Sequence, residues 1–173
     1  MVNILSVNFQ DLAGLSYNLC TAINTLTDHH AVNVVLSSTW LRYPMMVAGK
    51  KEAALQVPKL LSDADVVHIN EFPNLLSSMG CKLEGCEGKQ IIYHVHGSRF
   101  RRKHTDYLRY MNAHFPDAIM LVSTPDMLSF IPEASWFPSI VPVEEYHDEY
   151  ESQVNTPPII YNSATKPVKV PPF

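Results

Sequence analysis

The sequence predicts an α/β fold in which a mostly parallel sheet carries helices on both faces. Short apolar runs typical of strands alternate with helical patterns from residue 2 to about residue 131. The run at 90–96 is apolar over most of its length, as in strands that are covered on both faces. Strand–helix alternation of this kind favours a parallel sheet with right-handed crossovers. We therefore expect one Rossmann-like domain with about six strands.

The elements are predicted from periodicity and from turn residues. The predicted strands are 2–8, 32–37, 65–70, 90–96 and 118–123, and the predicted helices are 15–26, 50–61, 72–79 and 101–114. Leucine and isoleucine recur at helical spacing between Leu15 and Leu26, so these residues are the expected inner face of the first helix. Pro58 predicts a kink or a break. Thr124 and Pro125 are typical of a helix start, with a hydroxyl cap followed by proline.

Composition restricts the class of protein. Apolar residues make up 46% of the chain and charged residues 17%, which is typical of a globular domain. No apolar run approaches the ~20 residues of a membrane span, and the first eight residues lack the features of a signal peptide, so we expect a cytoplasmic protein. The net charge of −4 predicts no nucleic-acid partner. Three cysteines are an odd number, which does not predict a disulfide framework, and we expect Cys81 and Cys86 to be free thiols.

The amino-acid composition changes towards the end of the chain. Eight of the thirteen prolines lie between Pro132 and Pro172, and five acids lie within residues 144–151. Proline removes donors from a strand ladder, so this part is not predicted to add core strands. We expect a domain at 1–140 and a proline-rich, acidic connecting segment at 141–173.

Polar and ionisable residues that could bind a ligand follow the strand at 90–96. His94 and His96 precede Gly97, Ser98 and two arginines, at the strand end where doubly wound proteins bind ligands. This mixture favours a phosphorylated or polyhydroxylated ligand. By strand alternation His94 points away from its immediate neighbours, and we expect a structural role for it.

A phosphate contact is also predicted after the first strand. Gly14 and Leu15 begin a helix whose free N–H groups suit a phosphate, although a plain turn glycine is an equal alternative. The dinucleotide fingerprint is absent, which argues against an NAD enzyme.

Five segments, in this order, resemble the amino-terminal half of the retaining GT-B glycosyltransferases that use nucleotide-sugar donors. They are DLAGLSYNL at 11–19, ADVVHIN at 64–70, HVHGSRFR at 94–101, STPD at 123–126 and ASWFP at 134–138. The chain departs from the family pattern at Asn70, where a second histidine is usual, and at Ser139, where asparagine is common. No pair of glutamates has the spacing found in the family's donor-binding domain.

The resemblance implies an acceptor-binding half that transfers sugar only when it is paired with a donor-binding domain. It implies that His96 faces the transferred sugar and stabilises charge in the transition state. It also implies contacts to the donor phosphate or to the acceptor. The residues expected to make them are Gly14, Leu15, Gly97, Ser98, Arg101, Thr124 and Asp126. No cofactor is implied besides the nucleotide-sugar substrate.

The partners and the alternatives follow from the same residues. We expect a sugar or glycolipid acceptor, a nucleotide-sugar bound through the second domain, and two open possibilities: peripheral membrane contact through the basic cluster that begins at Arg99, and self-association. A non-catalytic module that binds a sugar, a nucleotide or a partner protein is the main alternative. A third hypothesis is a metal-dependent hydrolase whose ligands include the paired histidines. No carboxylate lies near these histidines in the sequence, so no metal is expected.

Overall fold

The structure is a computed structural model, and it describes residues 1–11, 13–37, 46–47 and 50–140. The predicted segment 141–173 therefore lies outside the described residues. The strands are β1 Asn3–Asn8, β2 His30–Val35, β3 Met46–Val47, β4 Val66–Asn70, β5 Gln90–Val95, β6 Ile119–Val122 and β7 Ser135–Trp136. The helices are α1 Leu15–Leu26, α2 Lys50–Asp63, α3 Leu75–Ser78 and α4 Gly97–His114, with 3-10 turns at Leu83–Cys86 and Pro125–Ser129.

The seven strands form one sheet in the order β3-β2-β1-β4-β5-β6-β7, and every neighbouring pair is parallel. The predicted α/β, Rossmann-like class is confirmed. The order reverses between β1 and β4, so crossovers on the two sides of this point run in opposite directions. The sheet has one more strand than expected, because β3 and β7 are only two residues long and show no periodicity.

The two faces of the sheet differ in chemistry. Leu5 and Val7 of β1 belong to an apolar core with Val57 of α2 and Phe100 of α4. Side chains alternate along a strand, so Ser6 and Asn8 point to the opposite face. There Asn8 accepts a hydrogen bond from the Ser16 hydroxyl of α1 at 3.0 Å. Helices therefore lie on both faces, as predicted.

Helix α1 has the predicted bounds, and its predicted inner face is only partly correct. Its buried residues are Leu15, Ser16 and Cys20, whereas Leu26 is 81% exposed. Within the predicted stripe Leu15 is buried, Leu19 and Ile23 are partly buried, and Leu26 is exposed, so the inner face was predicted only in part. Ser16 was missed because its hydroxyl finds a buried partner in Asn8 of the polar strand face.

Three other helix predictions need correction. Helix α4 begins at Gly97, four residues before the expected Arg101, and its buried residues are Phe100 and Met111. Helix α2 contains Pro58 and continues to Asp63, so the proline does not end it. At the 3-10 turn Pro125–Ser129, Thr124 is the cap position but makes no side-chain capping hydrogen bond.

Candidate functional site

The candidate site lies where the carboxyl ends of β1, β4 and β5 meet. Ligands of open α/β sheets bind outside the strand ends at the point where strand order reverses, which here is between β1 and β4. On the polar face this region contains His68 and Asn70 of β4, and His94 and His96 at the end of β5. Since residues two apart share a strand face, each pair points the same way.

A chain of hydrogen bonds joins these side chains. The Ser6 hydroxyl lies 3.2 Å from Nδ1 of His68, whose Nε2 lies 3.3 Å from Nδ1 of His94. The Asn70 amide donates to the Ser6 hydroxyl at 3.2 Å and to the carbonyl of Val7 at 3.3 Å. The network therefore has two branches that meet at the Ser6 hydroxyl: one runs through His68 to His94, and the other runs through Asn70.

His96 is held by that second branch. Its Nε2 lies 3.1 Å from Oδ1 of Asn70, and its ring centroid lies 4.3 Å from that of His94. The Asn70 amide nitrogen already donates to Ser6 and Val7, so Oδ1 is the acceptor and Nε2 of His96 carries the hydrogen. In the neutral imidazole Nδ1 is then an acceptor.

Burial keeps the three imidazoles neutral. It lowers the pKa of His96 to about 4. Burial, together with the nearby His96, lowers the pKa of His68 to about 3. The pKa of His94 is lowered by burial and by its two histidine neighbours. The site therefore presents neutral donors and acceptors at physiological pH rather than positive charge.

His94 has an unsatisfied atom. The residue is fully buried, and its Nε2 has no hydrogen-bond partner among the described residues. The ring of Phe137 lies 5.7 Å away with its plane nearly perpendicular. The sequence predicted a structural role for His94, but its ring contacts both His68 and His96, so it also supports the predicted site residue.

The amino end of α1 is occupied by a carboxylate. Gly14 has a φ of 66°, the left-handed conformation that lets the chain turn into the helix. The N–H groups of Ser16 and Tyr17 donate to Asp11 at 3.3 and 2.8 Å. Burial nevertheless raises the pKa of Asp11 above its ordinary value. A phosphate beside Gly14 and Leu15 would meet this carboxylate, so the predicted contact requires Asp11 to move or to be protonated.

The amino end of α4 differs. It has no side-chain cap and no acidic residue in its first turn. Gly97 has a φ of 58°, and a Cβ placed there would meet no atom within 4 Å. The Ser98 side chain is exposed. Gly97 and Ser98, both predicted from the sequence, thus lie at the more open of the two helix termini.

Arg101, Thr124 and Asp126 lie together, as a side-chain cluster separate from the imidazoles. Arg101 donates to Oδ2 of Asp126 at 2.9 and 2.7 Å, and to the Thr124 hydroxyl at 3.4 Å. The Thr124 hydroxyl and the Arg101 guanidinium hold the pKa of Asp126 below its ordinary value. The contacts tie α4 to the 3-10 turn, and a role in ligand binding stays a prediction for all three.

Sequence reasoning missed Glu71, which follows Asn70 at the end of β4. It is the one non-glycine residue with a positive φ, 60°, in the described part of the chain. Its position directly after a predicted strand, beside a motif residue, was a usable signal. The same is true of Asp11, an acid just before a helix, which is typical of a cap.

Other candidate chemistry is not supported by the described residues. Cys20, Cys81 and Cys86 are free and buried. Burial raises the pKa of Cys20 to about 12 and that of Cys81 to about 11, so these thiols are poor nucleophiles. Within the described ranges no group of three or more histidine, cysteine or acidic side chains is arranged to hold a metal ion. In the same ranges, no helix is long and apolar enough to cross a membrane.

Three solved structures resemble this chain at low sequence identity. One similar solved structure is an alpha-glucosyltransferase in complex with UDP-glucose and DNA containing an abasic site. The two sequences are 11% identical, the match covers 79% of this chain and 42% of that chain, and the TM-score is 0.47. An alpha-glucosyltransferase with UDP and a 13-mer DNA containing an HMU base shares 14% identity over 63% of this chain and 36% of its own, with a TM-score of 0.43. An apo NADH:FMN oxidoreductase shares 11% identity over 72% and 73%, with a TM-score of 0.38.

These similarities are similarities of fold. The chain spans less than half the length of the two glucosyltransferase chains. No family model and no curated protein matches the sequence.

One partner prediction is contradicted. Both glucosyltransferases that resemble the chain are complexes with DNA, so the exclusion of nucleic acid was wrong. The net charge of −4 averages over the whole chain and conceals a local excess of positive charge along α4. The exposed basic residues there are Arg99, Arg102, Lys103 and Arg109.

Proposed function

We propose that this chain is the acceptor-binding half of a retaining GT-B glycosyltransferase, with His96 beside the sugar that is transferred. In this proposal, transfer requires a second domain that binds the nucleotide-sugar. The observation that carries the proposal is the neutral hydrogen-bond network that holds His96 at the reversal point of the sheet.

The protonation pattern suits sugar transfer. Because Nε2 of His96 donates to Asn70, Nδ1 is the acceptor, and in the described part of the chain it has no hydrogen-bond partner. A neutral acceptor can take a hydrogen bond from a sugar hydroxyl. It can also face the partial positive charge of an oxocarbenium-like transition state without repelling it.

The second site element is the open amino end of α4. Gly97 and Ser98 leave backbone N–H groups beside His96, and such groups stabilise a negatively charged group. In our proposal these N–H groups contact the donor diphosphate as the bond to the sugar breaks. Arg101, Thr124 and Asp126 fix the adjoining 3-10 turn in place, and cytoplasmic location remains part of the proposal.

The test is sugar transfer by the chain alone and by the chain fused to the donor-binding domain of a GT-B glucosyltransferase. Radiolabelled UDP-glucose is the donor, and glycosides, glycolipids and duplex DNA are the acceptors. We expect transfer by the fusion and none by the chain alone. A His96→Ala fusion that transfers at the rate of the parent contradicts the proposal, and an exposed-site variant, His29→Ala, is the matched control.

A non-catalytic sugar-binding module is the second candidate, and Asp11 is the observation that favours it. Its carboxylate occupies the N–H groups of α1 that a donor diphosphate would otherwise use. Under this alternative, the chain binds a glycoside in a titration, and neither the fusion nor any Asp11 variant of it transfers sugar.

A further inference from the structure

The carboxyl end of β4 carries a cluster that the proposed network does not use. It consists of Glu71, Phe72, Arg99 and Phe9, and we call it the Glu71 cluster. We propose that the Glu71 cluster binds a pyranose ring of the acceptor through adjacent hydroxyls and the apolar ring face. This inference rests on the proposed function, because it names the chemical group of the acceptor that the proposed acceptor-binding half would hold.

The backbone of Glu71 is held in an unfavourable conformation by β5. Its N–H donates to the carbonyl of His94 at 2.9 Å, and its carbonyl accepts from the Tyr93 hydroxyl at 2.8 Å. A left-handed φ is costly for a residue with a side chain, and such residues cluster at functional sites. The two hydrogen bonds fix the position of Glu71 one residue after Asn70, which binds His96.

The carboxylate and its partner keep unused hydrogen-bonding capacity. Oε1 of Glu71 lies 4.0 Å from Nε of Arg99, which is an ion pair but too long for a hydrogen bond. Among the described residues, neither side chain makes a hydrogen bond. Burial raises the pKa of Glu71, and the Arg99 guanidinium opposes that rise.

Aromatic rings complete the cluster. The Arg99 guanidinium carbon lies 4.5 Å from the centroid of the Phe72 ring. Phe72 also contacts Phe9, with ring centroids 5.4 Å apart. Phe9 follows β1 and is 38% exposed, so an apolar surface is open to solvent next to the charged pair.

This combination matches a sugar better than other ligands. A carboxylate accepts from one hydroxyl while a guanidinium donates to its neighbour, and a ring packs against the C–H face of a pyranose. A phosphate would be repelled by Glu71. A wholly apolar ligand would bury the Glu71 carboxylate without a hydrogen bond, which is unfavourable.

The test is an NMR titration of the whole 173-residue chain with three probes: the methyl α-pyranosides of D-glucose, D-mannose and D-galactose. Cyclohexanol, a ring without adjacent hydroxyls, is the ligand control. We expect millimolar binding of at least one glycoside and none of cyclohexanol. Glu71→Gln should weaken binding at least tenfold, since an amide accepts more weakly and carries no charge, while Phe9→Ala weakens it severalfold.

Glu87→Gln is the matched control variant, because Glu87 is exposed and lies just before the amino end of β5, at the opposite edge of the sheet. It should bind as the parent does, and the thermal midpoints of all variants should stay within a few degrees. The proposal is overturned if no glycoside binds, if cyclohexanol binds equally well, or if Glu71→Gln retains parental affinity.

Enzyme kinetics separate this proposal from the proposed function. In the fusion, Glu71→Gln should raise the acceptor KM and leave kcat within a fewfold. Transfer with an unchanged acceptor KM overturns the Glu71 cluster alone. Glycoside binding that depends on Glu71, in a fusion that never transfers sugar, overturns the proposed function alone.

Discussion

The two faces of the sheet are equally buried but differ in chemistry. On the core face, Leu5, Ile69 and Tyr93 pack against α2, α3 and α4 with almost no exposure. On the other face, His68 and His94 are buried to the same degree and form hydrogen bonds instead of apolar contacts. Burial of a polar group is costly unless the group is hydrogen-bonded, and Nε2 of His94 has no hydrogen-bond partner among the described residues. The core face therefore gains stability from apolar contacts, whereas the polar face carries at least one buried group that lowers stability.

The core face should give the largest effect on folding. Phe100 is fully buried, and Phe100→Ala should lower the free energy of unfolding by about 3–5 kcal/mol because the lost ring leaves a cavity. Leu26→Ala, at an 81% exposed position, should change it by less than about 0.5 kcal/mol. Urea denaturation measures both values. Equal losses would show that α4 does not cover the core as described.

The polar face should give its largest effect on activity. His96→Ala in the fusion with a donor domain should lower kcat about 10²–10³-fold, since the contact to the transition state that we propose for His96 is lost. The free energy of unfolding of this variant should fall by about 1 kcal/mol, because the hydrogen bond between His96 and Asn70 is lost. His94→Ala should show the reverse, a larger loss of stability and a modest change in rate. Melting temperature and turnover, measured for both variants, distinguish the two roles.

The polar face should also make the protein sensitive to acid. A histidine whose pKa falls from 6.5 to about 4 on folding binds fewer protons in the folded state than in the unfolded state. Its contribution to the free energy of unfolding is therefore fully present above pH 6.5 and is lost as the pH falls towards 4. By pH 5 this amounts to about 2 kcal/mol for His96. The raised pKa of Asp11 acts in the opposite sense as the pH falls from its folded pKa towards 3.8, because the folded state then binds more protons.

Unfolding free energies at pH 7, 6 and 5 test this dependence. His68→Asn should flatten the profile, because it removes a buried imidazole that resists protonation. His30→Asn, at an exposed position, should leave the slope as it is. A parent protein equally stable at pH 7 and pH 5 would mean that the imidazoles are not buried as described.

The smallest predicted effect is a gain in stability. Glu71→Gly should relieve the left-handed backbone and stabilise the fold by up to about 1 kcal/mol, since glycine adopts a positive φ without steric cost. The same change should abolish glycoside binding by the Glu71 cluster. Thermal melting and NMR titration of this one variant measure both effects, and Glu87→Gly, which lacks a positive φ in the parent, should not be stabilised.

The main features of the fold could be predicted because they depend on local patterns. Helix α1 begins at Leu15 after a glycine turn, and β5 differs from its prediction by one residue. Strands β3 and β7 could not be predicted, since two residues show no periodicity and their pairing depends on distant partners. The start of α4 was placed late because Gly97 is typical of a turn, whereas here it is the first residue of the helix.

The location of the candidate site residues could be predicted from the sequence, but their surroundings could not. The rule that ligands bind at carboxyl strand ends pointed to His96, and the residue lies there. Its neutrality depends on burial and on Asn70, which only the folded arrangement brings within 3.1 Å. The left-handed backbone of Glu71 is imposed by hydrogen bonds from β5 and has no signature in the sequence. Long-range contacts thus decide how each predicted residue can act.

The strand order also has a consequence for how the chain is made. Strand β1 is synthesised before both of its neighbours in the sheet, β2 and β4, and its residue Ser6 is 62 positions from its β4 partner His68. Until β4 has left the ribosome, one edge of β1 has no partner, and unpaired strand edges promote aggregation. Such distant pairings also slow folding, so the nascent chain is prone to aggregate until β4 has paired with β1. A translation product that ends before Asn70 would lack part of β4 and would stay prone to aggregate.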